Sequence, residues 1–221
     1  MNITQVFWGV LVLVSIIHVT AIILRKETIT RVSKCFLIPA IIGAYISGSG
    51  MSFIFPVIAL VLGWTGDVLL IRIDKKINFI LGLASFLLGH LFYILSFLLI
   101  LGFFGSGSGT IDLAAIALFM PPAIMLAVIV FRLIKPAREM YAPVIFYMAI
   151  LELLTLFGFQ VFLFNPGLSG LLLISGCLCF MFSDTILAYY TFRKLKVSGS
   201  VFIMVFYILA QAEIILGLML R

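Results

Sequence analysis

Apolar residues run through the chain in long blocks, and polar positions gather into short breaks between them. A bilayer core of roughly 30 Å takes about 20 apolar residues per helix. The blocks divide into eight stretches of that order: 3–24, 35–51, 53–71, 77–101, 111–131, 140–164, 168–192 and 197–220. The pattern predicts an all-α fold, a polytopic membrane helix bundle of eight transmembrane helices forming one domain over residues 1–221. The breaks are short, and "GFFGSGSG" at 102–109 alone reads as a flexible linker. The first block carries no basic leader and no small-residue cleavage site, so it reads as a first span and not as a signal peptide.

Composition sharpens this picture. Of 221 residues 65% are hydrophobic and 10% charged, with a mean hydropathy of +1.36, which excludes an ordinary soluble domain. The fourteen Lys and Arg are not scattered. Arg25, Lys26, Arg31 and Lys34 fall in the first break, Arg72, Lys75 and Lys76 in the third, Arg132, Lys135 and Arg138 in the fifth, and Arg193, Lys194 and Lys196 in the seventh. The even breaks have none. By the positive-inside rule the odd loops face the cytoplasm and both termini lie outside. The net charge of +6 is then a topology signal, with attraction to anionic membrane lipids as a side effect, and nucleic acid is not needed as a partner. No obligate protein partner is implied. Cys35, Cys177 and Cys179 lie inside apolar runs without metal-ligand spacing and read as small core residues.

The informative positions are the polar ones inside the blocks. Asp67, in "GWTGDVLLI", precedes Arg72 by five residues, about 7 Å along a helix. Asp184, in "FMFSDTILAYY", precedes Arg193 by nine, about 13 Å. His18, Tyr147 and Tyr207 fall in the same inner half. Other polar residues lie on shared helical faces: His90 with Tyr93, Tyr207 with Gln211, and the stripe Tyr141, Ile145, Met148 and Glu152. Such stripes on oily helices point to a bundle interior or a wet cavity. Simpler roles compete. Asp67 can be a shallow charge held by Arg72 or Lys75, His18 and His90 can be hydrogen-bonded structural residues, and Tyr189 and Tyr190 suit interfacial anchors. Glu213 is assigned no role. "TGDVLL" echoes "FSDTILA" four spans later, and His90 and Tyr207 each follow their aspartate by 23 residues, as a four-plus-four duplication would leave them.

Six segments in order, "SKCFLIP" (33–39), "GDVLL" (66–70), "FLLGHLFY" (86–93), "MYAPVIFY" (140–147), "FMFSDTILA" (180–188) and "YILAQ" (207–211), resemble the YhhN-like lysoplasmalogenase family of eight-span proteins. The resemblance covers most of the chain, apart from the first span and the region of Pro121–Pro122. It implies hydrolysis of the vinyl ether bond of a lysophospholipid substrate, the lysoplasmalogen, to a fatty aldehyde and a glycerophospho-alcohol. It also implies Asp67 and Asp184 as catalytic residues, and Lys34, His90, Tyr93, Tyr141, Tyr147, Ser183, Tyr207 and Gln211 as the polar lining that binds substrate. A bacterial cytoplasmic membrane suits the chain better than a eukaryotic internal one.

The residue types suit that chemistry. A vinyl ether is hydrolysed by protonation of its β-carbon, which leaves an oxocarbenium ion for water to attack. Glycosidases handle a similar cation with one protonated and one ionised carboxyl. Two nearby aspartates in a low-dielectric site cannot both ionise cheaply, so the pair is expected to share one proton near neutral pH. No cofactor or metal is required. Lys34 is a candidate for attracting the substrate phosphate, and equally an interfacial lysine set by topology. A secondary transporter using membrane carboxylates for ion coupling is the alternative. An aspartyl intramembrane protease is disfavoured, because Gly63-Trp64-Thr65-Gly66-Asp67 is not GxGD. A zinc hydrolase of the ceramidase type needs more ligands than His18 and His90 supply.

Overall fold

The computed structural model describes residues 2–49, 53–71, 76–103, 109, 111–195 and 201–221. They form eight α-helices and, among the described residues, no strand. In chain order these are α1 (Ile3–Ile23), α2 (Glu27–Ser49), α3 (Phe55–Leu70), α4 (Lys76–Ile100), α5 (Leu113–Ile134), α6 (Tyr141–Phe164), α7 (Leu168–Phe192) and α8 (Val201–Met219), with a 3₁₀ turn at Arg138–Met140 before α6. Seven of them are long and apolar enough to cross a membrane. The exception is α3, whose 16 residues rise about 24 Å, short of a hydrocarbon core. Helix α3 packs against α4 and α2 and is tied to α8 through Asp67 and Tyr207.

One correction concerns the first break. Helix α2 begins at Glu27, so Arg31 and Lys34 are helical and not in a loop. Hydropathy missed this turn because its polar residues are consumed locally: Arg31 pairs with Glu27 one turn back at 3.2 Å, Ser33 is buried, and Lys34 reaches inward. Arg132 likewise lies in the last turn of α5, and Arg138 opens the 3₁₀ turn. Arg72, Lys75, Lys196 and the core of the Gly/Ser linker fall outside the described residues.

The tightest pairings are α1 with α2, α3 with α4 and α7 with α8, and α8 also touches α1 and α2. Small residues permit the close approaches. A Cβ at Gly176 of α7 would come within 2.9 Å of the Ala210 carbonyl of α8, and Ser169 donates to the Gly217 carbonyl across the same seam at 2.7 Å. Helix α5 is the outlier, resting lightly on α6 and α7. It is nonetheless well started, since Asp112 accepts from the Ala114 and Ala115 backbone amides.

Helix α2 contains Pro39, which has no N–H for the Cys35 carbonyl four residues back. That carbonyl instead accepts the indole N–H of Trp64 on α3, at 2.9 Å. The helix interruption thus becomes a cross-link to the helix that carries Asp67.

Candidate active site

Asp67 sits in the last turn of α3 and is 2% exposed. One carboxylate oxygen faces the Lys34 ammonium at 3.0 Å, and the other accepts the Tyr207 hydroxyl at 2.6 Å. The Lys34 side chain is 18% exposed, so the pair is nearly dry and its attraction is little screened. Lys34, expected as a possible phosphate ligand, is engaged here by Asp67. Beyond Tyr207 the hydrogen bonds continue: Gln211 donates to the Tyr207 hydroxyl at 3.4 Å and accepts the Tyr93 hydroxyl at 2.5 Å. Four helices, α2, α3, α4 and α8, meet in this one network.

Asp184, about two thirds of the way along α7, is only half-buried and accepts the Tyr147 hydroxyl of α6 at 2.5 Å. Among the described residues no Lys or Arg pairs with it. It lines a small cavity of about 50 Å³ between α4, α5, α6 and α7, together with Tyr147, Met148, Leu83 and Thr191. Asp67 and Asp184 stand on separate helices, α3 and α7. Between them stands a cluster of rings. Phe180 packs against Tyr207 (centroids 6.0 Å), against His90 (4.9 Å) and against Tyr93 (6.2 Å), and His90 meets the Tyr147 ring edge-on at 5.8 Å. His90 is buried, and its Nδ1 has no hydrogen-bond partner among the described residues.

The arrangement therefore reads Lys34, Asp67, Tyr207, Phe180, His90, Tyr147, Asp184, with Tyr93 and Gln211 closing one side. Six of the eight residues expected to line a polar site, together with both aspartates, fall within this cluster. Ser183 is buried next to Asp184 but donates to the Ile203 carbonyl at 3.1 Å, fastening α7 to α8. Tyr141 stands apart. It is 45% exposed at the start of α6 and packs edge-on against Phe131 of α5. The stripe it heads turns toward α5, not the bundle interior: Ile145, Met148 and Glu152 line a groove between α5 and α6. His18 is structural in its contacts, with Nδ1 at 2.8 Å from the Ser33 hydroxyl. Glu213 is approached by the Cys179 thiol.

The sequence pattern missed Phe180, although it centres the cluster, because a phenylalanine in an apolar run carries no signal. The 23-residue spacing turns out to act crosswise. Tyr207, which follows Asp184, bonds to Asp67; His90, which follows Asp67, packs on the tyrosine that holds Asp184. Among the described residues no group of three or more His, Cys, Asp or Glu is placed to hold a metal ion.

The family model described as the YhhN family matches residues 29–218. That segment contains every residue of the cluster. No curated protein and no solved structure matches the chain.

Proposed function

Since the chain belongs to the YhhN family, we propose that it is a membrane lipid hydrolase that cleaves the vinyl ether bond of lysoplasmalogens. The observation that carries the reading is the unequal pair of carboxyls, each capped by a tyrosine hydroxyl and only one joined to a lysine. Asp67, held by Lys34, keeps its negative charge. Asp184, with no cation and with a cavity beside it, is the group that holds a proton.

The reaction then balances on water alone. Protonated Asp184 gives its proton to the β-carbon of the vinyl ether, and the π electrons form the new C–H bond. The oxocarbenium ion left behind is steadied by the Asp184 carboxylate and by the fixed charge of Asp67. Water adds to the cationic carbon and returns a proton to Asp184, giving a hemiacetal. Proton transfer from the hemiacetal hydroxyl to the glycerol oxygen breaks the C–O bond and releases aldehyde and glycerophospho-alcohol. The mechanism calls on no metal or organic cofactor. Tyr147 orients Asp184, and the bond chain through Tyr207, Gln211 and Tyr93 fixes Asp67. In the topology that accompanies this reading, eight helices lie in the membrane as one unit with both termini outside.

Aldehyde release by the purified protein decides the matter. A vinyl ether lysolipid should yield aldehyde, while ester-linked and saturated alkyl-ether lysolipids should not. No aldehyde from any vinyl ether lipid, together with ion-coupled transport lost in both Asp67→Asn and Asp184→Asn, would establish a secondary transporter instead.

A further inference from the structure

The groove between α5 and α6 holds about 560 Å³, in the range of small-ligand sites, and it lies apart from the carboxyl pair. Its walls are apolar, including Ile124, Ala127, Phe131 and Ile145, with two charged residues among them, Arg132 and Glu152. Arg132 is exposed and makes no ion pair among the described residues. Glu152 has one carboxyl oxygen buried with no hydrogen-bond partner among the described residues. A carboxyl in this position on a bare lipid-facing wall would be costly, and a bound donor removes the cost.

Two contacts fix the relative heights. Arg193, just beyond α7, donates to the Leu133 carbonyl at 3.0 Å, and Tyr141 packs on Phe131, so the ends of α5 and α7 and the start of α6 share one level. From that level Asp184 is about 13 Å up α7, and Glu152 is about 17 Å up α6 with its side chain slanting back toward the helix start. The two carboxyls thus come to similar depth, with Arg132 below them. Met148 lines both the groove and the Asp184 cavity and stands between them.

We infer that a lysophospholipid lies in the α5–α6 groove with its phosphate on Arg132 and its free glycerol hydroxyl donating to Glu152, which makes Glu152 the residue that selects single-chain lipids. The inference rests on the hydrolase reading for its substrate. The order of groups matches: phosphate lowest, glycerol hydroxyl next, and the vinyl ether one carbon away, facing Asp184 past Met148. The Arg132 guanidinium suits a phosphate in charge and in fork geometry. A diacyl lipid offers Glu152 no hydroxyl hydrogen.

The test needs no turnover. Binding of a saturated 1-O-alkyl lysophosphatidylcholine and of its 2-O-methyl ether is measured on the full chain in nanodiscs. The wild type should bind the free hydroxyl lipid at least about tenfold more tightly, the scale of one charge-assisted hydrogen bond. Glu152→Leu should bring the two to within about twofold of each other, and Arg132→Gln should weaken both by a similar factor. No preference in the wild type, or a preference that survives Glu152→Leu, overturns the assignment. Should Glu152→Leu fail to fold, Ala149→Phe, which fills the groove beside Glu152, should lose both lipids, and retained affinity would overturn it equally. A preference without aldehyde release from any vinyl ether lipid would sink the hydrolase reading and leave the hydroxyl site standing. Aldehyde release without a preference would do the reverse.

Discussion

Asp67 and Asp184 share a residue type, a tyrosine cap and a neighbouring ring cluster, yet one is locked to Lys34 in a nearly dry contact and the other borders a cavity. An ion pair of that kind is rigid and expensive to break, while a carboxyl capped by one hydroxyl beside open space can exchange its proton. The difference teaches that a pair of membrane carboxylates can divide its tasks by a cation supplied to only one of them. Sequence separation hides this, because Lys34 and Asp67 lie on different helices.

The strongest way to break the comparison is to remove the exchangeable proton. Asp184→Asn should lower aldehyde release by on the order of a hundredfold to ten-thousandfold with little change in thermal stability. Full activity in that variant would end the acid assignment. The next effect falls on stability. Lys34→Met leaves the Asp67 charge buried and unpaired, at a cost of about 3–5 kcal/mol, and the double variant Lys34→Met/Asp67→Asn should recover most of it. Equal melting temperatures for Lys34→Met and wild type would show that the pair contributes nothing.

The caps sharpen the contrast. Tyr147→Phe removes the one hydroxyl on the protonated Asp184 carboxyl and should cut activity by roughly threefold to tenfold, the scale of a neutral hydrogen bond of about 0.5–1.5 kcal/mol. Tyr207→Phe should cost less, since Lys34 still holds Asp67; the reverse ranking, measured as kcat/KM, would contradict the division of labour. The smallest effect is expected at Tyr141, where Tyr141→Phe at an exposed position should stay within about 0.5 kcal/mol of wild type.

Much of this architecture is legible in the sequence. The runs of apolar residues predict the helices closely where a run ends at a charge, and they fail at α2 because Glu27, Arg31 and Lys34 satisfy one another or the interior. A hydropathy pattern cannot see such pairing. The polar residues at similar depth, Asp67, Asp184, Tyr147 and Tyr207, do gather, but which tyrosine caps which carboxyl was not readable, because helix order says nothing of helix neighbours. Lys34 reads equally as an interfacial residue until its partner is in view. The stripe of Met148 and Glu152 was visible as a shared face, and its direction, toward α5 and away from the bundle interior, was set by packing alone.

The bond from Trp64 to the Cys35 carbonyl has a consequence for how the chain is assembled in the bilayer. Inserted alone, α2 would carry an unsatisfied carbonyl beside Pro39 at hydrocarbon depth, which costs several kcal/mol. It gains that group's partner when α3 arrives alongside, and α3 is too short to be an ordinary independent span. Each helix is thus a poor guest in lipid by itself and a good one beside the other. The break in α2 left by Pro39 ties it to α3, on the same pair of helices that the Lys34–Asp67 contact joins.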